Sequence, residues 1–297
     1  MNDQAQMLRS IAQRQTDGRP LAARCRVLTV TGGKGGVGKS SVALNLAIAL
    51  GRSGERVLLL DADLGLANLD LMLGVVPQRT LEDVASGNCR LAATVLATDY
   101  GIDLLPGGAG VPALAELGSL ALVRIFGQLR ELEDGYDFIV VDTAAGIGEG
   151  VARFTLPADD VVLVCTPDPP AMLDAYSVLK MLCAREFSGQ LHLVVNMLRE
   201  PGELERTHGS LERVTRRYLG RGINLLGGLP YDSQMYECTR RQLPLLGLYP
   251  QGACAVAISG MLPGLFGRAV QLPVLERRGF FSRLLDGVRR TVTTDGR

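Results

Sequence analysis

Lysine is nearly absent from this chain: Lys34, Lys39 and Lys180 stand against twenty-eight arginines. Lysine is a compact point charge and arginine a broad planar fork, so so few lysines mark places where a guanidinium does not fit. A phosphate cradle is such a place, and two of the three lysines share one glycine-rich stretch. Histidine is equally sparse. His192 and His208 have no triad or metal spacing around them and read as structural residues. Six cysteines are scattered without a C-x-x-C pair, which disfavours a zinc or iron–sulfur site made within one chain and leaves buried free thiols as the expectation. No apolar run is long enough to span a bilayer and no signal peptide is present, so a cytoplasmic protein is expected. The formal net charge is zero, which argues against wholesale electrostatic binding of nucleic acid. What remains is a 297-residue chain with 47% hydrophobic content, enough for one large α/β domain plus tails.

The two lysines lie in Gly32-Gly33-Lys34-Gly35-Gly36-Val37-Gly38-Lys39-Ser40-Ser41, between an apolar run at 27–30 and a helical pattern from Val42 to Leu50. Strand, glycine turn, helix is the setting of a phosphate-binding loop. Gly33 to Ser40 fits G-x-x-x-x-G-K-[ST], in which backbone N–H groups curl round an anion and the helix N-terminus adds partial positive charge. Gly33, Gly35, Gly36, Val37 and Gly38 form the cradle, Lys39 lies against the β- and γ-phosphates, and Ser40 ligates Mg²⁺.

Further along, buried strands end in polar residues on the edge where open α/β sheets bind ligands. The run 56–60 ends in Asp61-Ala62-Asp63, which places Asp63 toward Mg²⁺ and the γ-phosphate, with a loop and short helix over 64–73. Residues 102–106 form a third strand, and 117–132 carry helical spacing. Phe138-Ile139-Val140-Val141-Asp142 has the Walker B pattern, with Asp142 holding Mg²⁺ through water, and 143–148 is a loop able to sense the γ-phosphate. Two more strands span 160–165 and 191–196, with a helix over 171–184 between them. Asn196 closes its strand where an amide can pair with adenine. The last strand is expected over 223–226, followed by a loop from Gly227 to Asp232 in which Pro230, Tyr231 and Asp232 wall the base.

The ends differ in character. Residues 1–24 carry one short helical segment broken at Gly18-Arg19-Pro20. From Gln271 onward there are six arginines and three acids, and Phe281, Leu284, Leu285, Val288 and Val292 fall on one helical face. That pattern suits a helix lying in a membrane interface or one packed on its own domain; the paired phenylalanines and flanking arginines favour the membrane.

A phosphate loop with a lysine at its front resembles the deviant Walker A ATPases, which include MinD, ParA and the nitrogenase iron protein. The resemblance covers about 25–265 and implies a three-layer α/β fold with a mostly parallel sheet flanked by helices. It further implies an ATP-dependent homodimer in which Lys34 reaches the partner's nucleotide. Lys39, Ser40 and Ser41 would hold the phosphates and Mg²⁺, Asp63 the attacking water, Asp142 the metal, and Asn196 with the Pro230 loop the adenine. Asp61-Ala62-Asp63-Leu64-Gly65-Leu66-Ala67-Asn68-Leu69-Asp70 is similar to the MinD branch. Asp142-Thr143-Ala144-Ala145-Gly146, with Asp3-Gln4-Ala5-Gln6-Met7-Leu8-Arg9, resembles the FlhG/FleN regulators of flagellar number and placement. That branch implies stimulation of an FlhF-type GTPase through 3–9, action on a flagellar transcription activator, and reversible membrane binding, at a cell pole, through the C-terminal helix. The domain reading is an arm over 1–24, an ATPase domain over 25–268 and a membrane-targeting tail over 269–297. The rival is a ParA-type partition ATPase binding DNA non-specifically. An iron-protein-like electron carrier is a further rival, whereas a nicotinamide oxidoreductase is disfavoured because the loop lacks open G-x-G-x-x-G spacing.

Overall fold

The computed structural model describes residues 25–63, 68–80, 83–84, 86–107, 127–266 and 279–284. The arm over 1–24, residues 64–67 of the loop after Asp63 and the distal tail, with Leu285, Val288 and Val292, lie outside the described residues.

Among the described residues, eight strands form one sheet in the order β3-β4-β2-β5-β1-β6-β7-β8. Its centre is β1 (Arg26–Thr31), β2 (Val57–Ala62), β5 (Phe138–Thr143), β6 (Asp160–Cys165) and β7 (Gln190–Leu198), all parallel. Each central strand is an almost unbroken apolar run, as a sheet covered on both faces requires. In β2, Leu58 and Leu60 enter one core while Val57 and Leu59 enter the other, following the two-residue period of a strand. Helix α1 (Lys39–Arg52) packs into the second core with Val42, Leu46 and Leu50. Helices α3 (Glu149–Thr155), α4 (Pro169–Ala184) and α5 (Glu203–Leu219) cover the first; α2 (Leu69–Leu73) follows β2 in the chain. Beyond β8 (Asn224–Pro230) come α6 (Ser233–Arg241), α7 (Leu245–Leu248) and α8 (Ala253–Phe266). The three-layer α/β expectation holds.

Three boundaries differ from the sequence reading. A short strand, β3 (Leu96–Ala97), pairs antiparallel with β4 (Asp103–Leu105); two residues leave no alternating pattern to detect. Of the helix expected over 117–132, the described part runs from 127 to 133. The stretch Gly227-Gly228-Leu229-Pro230, read as loop, belongs to β8. Its glycines serve close packing: a Cβ on Gly227 would meet Met261 at 2.8 Å, and one on Gly228 would meet Leu198 at 2.5 Å.

The edge of the sheet away from the glycine loop is pinned by charge. Asp160, fully buried, takes two bonds from Arg26 at 2.6 and 2.7 Å and one from His192 Nε2 at 2.8 Å. Burial raises the Asp160 pKa, but the bonds from His192 and Arg26 outweigh it and hold the carboxyl below its ordinary value. His192 is thus structural, as expected. His208 likewise meets the Ile223 carbonyl at 3.1 Å. All six cysteines are free thiols.

The start of the C-terminal tail is docked on this domain. Phe280, Phe281 and Leu284 are buried in the first core with Leu129, Tyr136 and Phe154, and the two phenylalanine rings meet edge to face at 4.8 Å. The Phe281 N–H donates to Glu133 at 2.8 Å, and Arg283 donates to the Pro157 carbonyl and to Asp159. The phenylalanines expected to face a membrane therefore face their own domain here. An amphipathic stripe carries the same pattern for either partner.

Candidate phosphate-binding site

The site lies where β1, β2 and β5 end beside the N-terminus of α1. Gly36 (φ 80°) and Gly38 (φ 94°) take left-handed conformations that only glycine adopts freely, and they curl the loop between β1 and α1. The front of the loop is pressed against α4, for a Cβ on Gly33 would fall 2.3 Å from the Asp174 carbonyl group. Gly146 of the 143–148 loop donates its N–H to the Gly32 carbonyl at 3.0 Å, so that loop and the phosphate loop are directly bonded. Lys39 is buried inside the cradle at 8% exposure, whereas Lys34, Gly35 and Gly36 are exposed at its mouth. Ser40 and Ser41 open α1 and are half-buried.

Facing this loop are three carboxylates. Asp61 and Asp142 are direct neighbours across β2 and β5. Asp142 is fully buried, and neither of its oxygens receives a hydrogen bond of normal geometry. Burial pushes its pKa up to about 7; Ser40 and Lys39 pull it down, while Asp61 and Asp63 repel it. A buried carboxylate with both oxygens unpaired, beside a serine hydroxyl and a lysine, fits a divalent cation held with phosphate. Asp61 was not singled out from the sequence, yet it organises the segment carrying Asp63. Its carboxylate accepts the N–H of Asp63 at 3.1 Å, of Asn68 at 3.1 Å and of Leu69 at 3.2 Å. Burial raises its pKa to about 6 against those three bonds. The signal was the doublet of acids at a strand end, of which the first faces inward and the second, Asp63, is half-buried.

The residues expected to meet the base have protein partners of their own. Asn196 donates Nδ2 to the Val37 carbonyl at 2.9 Å and accepts the Met197 N–H at 2.8 Å, so its amide is engaged first with the phosphate loop. Pro230 ends β8, Asp232 caps α6 by accepting the Gln234 N–H at 2.8 Å, and Tyr231 is exposed under the Arg199 guanidinium at 4.1 Å. A cleft of about 530 Å³ opens at the other edge of the sheet, among His208, Glu212, Arg216 and Arg221; it is remote from these groups.

Residues 28–245 match the CobQ/CobB/MinD/ParA nucleotide binding domain. The chain belongs to that family. Among its relatives, antiactivator FleN of Pseudomonas aeruginosa is 36% identical over 236 residues, covering 80% of this chain and 84% of the relative. The flagellum site-determining protein YlxH of Helicobacter pylori is 31% identical over 265 residues, covering 88% and 90%. Of solved structures, the cell division ATPase MinD of Pyrococcus furiosus aligns with a TM-score of 0.69 at 27% identity, over 81% of this chain and 98% of that one. The septum site-determining protein MinD of Pyrococcus horikoshii, solved with Mg-ADP, aligns with a TM-score of 0.69 at 26% identity, over 82% and 96%. Membership in the MinD/ParA family makes ATP, ADP and Mg²⁺ the ligands of this loop.

One consequence is open to direct measurement. The raised Asp142 pKa means that the folded, ligand-free protein retains a proton that the unfolded chain releases near the ordinary value of 3.8. Its contribution to stability therefore falls as pH rises from about 4 to 7 and stays unfavourable above. Asp142→Asn removes that penalty. We expect the variant to be more stable than the parent in urea at pH 8, by up to about 4 kcal/mol at roughly 1.4 kcal/mol per pKa unit, with the gap closing as the pH falls to about 4. It should lose Mg²⁺-dependent nucleotide binding.

Proposed function

We propose that this chain is an ATP-driven switch that regulates flagellar number or placement, dimerising with ATP and acting on an FlhF-type GTPase, a flagellar transcription activator, or both. It is a P-loop ATPase that converts ATP and water to ADP and phosphate. The observation that carries the switch reading is the division between its lysines: Lys39 is enclosed in the cradle and Lys34 is exposed at the mouth. An exposed cation there serves a second subunit, neutralising phosphate charge across the interface only when triphosphate is bound. The antiactivator and flagellum site-determining relatives supply the biological setting. No described helix is long and apolar enough to cross a membrane. Reversible membrane binding through 269–297 then requires the docked 279–284 turn to leave its groove, and two such anchors in a dimer hold a surface far better than one.

Sedimentation tests both parts. With ATP and Mg²⁺, Lys34→Ala should bind nucleotide within about threefold of the parent yet remain monomeric; an unchanged ATP dimer would remove Lys34 from the interface. Anionic liposomes should retain the parent with ATP and release it with ADP. Val288→Glu with Val292→Glu should abolish retention without disturbing the buried phenylalanines, whereas full truncation would open the core. Retention by that double variant makes the tail a structural element, and salt-sensitive capture on DNA instead would favour the partition reading.

A further inference from the structure

Asn196 sits at the end of β7 in a locally irregular backbone. The β7–β8 register shifts between Val195 and Leu198, and Met197 takes φ 60°, a left-handed conformation unfavourable for a residue with a side chain. This kink turns the Met197 N–H back onto the Asn196 Oδ1 at 2.8 Å, while Nδ2 donates to the Val37 carbonyl at 2.9 Å. The two partners fix the amide's orientation, since a flip would set Oδ1 against a carbonyl and Nδ2 against an N–H. The side chain is 6% exposed, and a Cβ on Gly38 would come within 2.3 Å of Nδ2, so the loop itself leaves room for this contact.

We propose that Asn196 is a positioning residue of the phosphate loop, acting through the Val37 carbonyl, in addition to any contact with a base. A trans peptide points its C=O and the following N–H in opposite directions. Holding the Val37 carbonyl on Asn196 therefore turns the Gly38 N–H away from it, as one of the donors that the phosphates need. The loop flanked by two left-handed glycines has many conformations open to it, and this bond selects one of them. The strained bulge at Met197 persists because it aims the amide. Phosphate affinity then depends on Asn196 even for a ligand without a base.

The inference rests on the loop being a triphosphate site, and its test separates the two ideas. Binding of ATP and of inorganic tripolyphosphate, each with Mg²⁺, is measured by calorimetry on the full chain and on Asn196→Asp, which is isosteric but sets an oxygen against the Val37 carbonyl. Both ligands should weaken by a similar factor, roughly tenfold or more, while the ligand-free unfolding midpoint shifts by a few degrees at most. Asn196→Ala, which removes the bond without opposing two oxygens, should move both ligands the same way and serves if the aspartate variant folds poorly. Loss confined to ATP would make Asn196 a base reader only and overturn the proposal, as would unchanged binding of both. Failure of the parent to bind either ligand would overturn the triphosphate reading instead.

Discussion

Replacing Lys39 with alanine should abolish ATP binding, a loss of at least a hundredfold in affinity by calorimetry. Lys39 is enclosed at 8% exposure, and its charge opposes the raised pKa of Asp142. Without it, Asp61, Asp63 and Asp142 would meet an incoming triphosphate with no cation inside the cradle. Breaking a buried charge pairing by removing one member costs about 3–5 kcal/mol, which corresponds to roughly two to three and a half decades in affinity. Lys39→Arg should fare little better, because a planar fork does not replace a point charge within a loop of backbone N–H groups. ATP binding by Lys39→Ala within tenfold of the parent would refute the assignment of this loop.

Asp63→Ala should have the opposite profile. Binding is kept, the ATP dimer persists on size exclusion, and phosphate release falls by about two orders of magnitude or more, the scale expected for loss of a group that orients or deprotonates the attacking water. The structural reason is the clamp formed by Asp61. By accepting N–H bonds from Asp63 on one side and from Asn68 and Leu69 on the other, Asp61 fixes where the chain carrying Asp63 leaves β2 and where it enters α2. The alanine variant keeps that backbone arrangement and loses only the carboxylate. Normal hydrolysis by this variant would place the water-orienting group elsewhere.

Much of this site could be read in the sequence because its parts are local. The phosphate loop is a contiguous string, and the Asp63 and Asp142 carboxylates each close an apolar run whose strand character is plain. What escaped depends on contacts between distant segments. The bond from Asn196 to Val37 joins residues 159 positions apart, and the Arg26, Asp160 and His192 network joins three strands. Neither leaves a periodic trace. Glycine misled at Gly227-Gly228, where the small residue answers the approach of Met261 and Leu198 rather than a turn. The tail is ambiguous in a different way: Phe280 and Phe281 would present the same amphipathic face to a lipid surface as to the groove that holds them here.

Helix α3 gives the docked tail a mechanical meaning. It starts directly after the loop that Gly146 bonds to Gly32, and just beyond its end is the Pro157 carbonyl gripped by Arg283. Seven helical residues make a strut about 10 Å long, too short and too well packed through Val151, Ala152 and Phe154 to absorb a displacement by bending. The phosphate loop and the docked tail thus lie at opposite ends of one short helix, joined to it by the Gly146–Gly32 bond at its start and the Pro157–Arg283 bond just past its end.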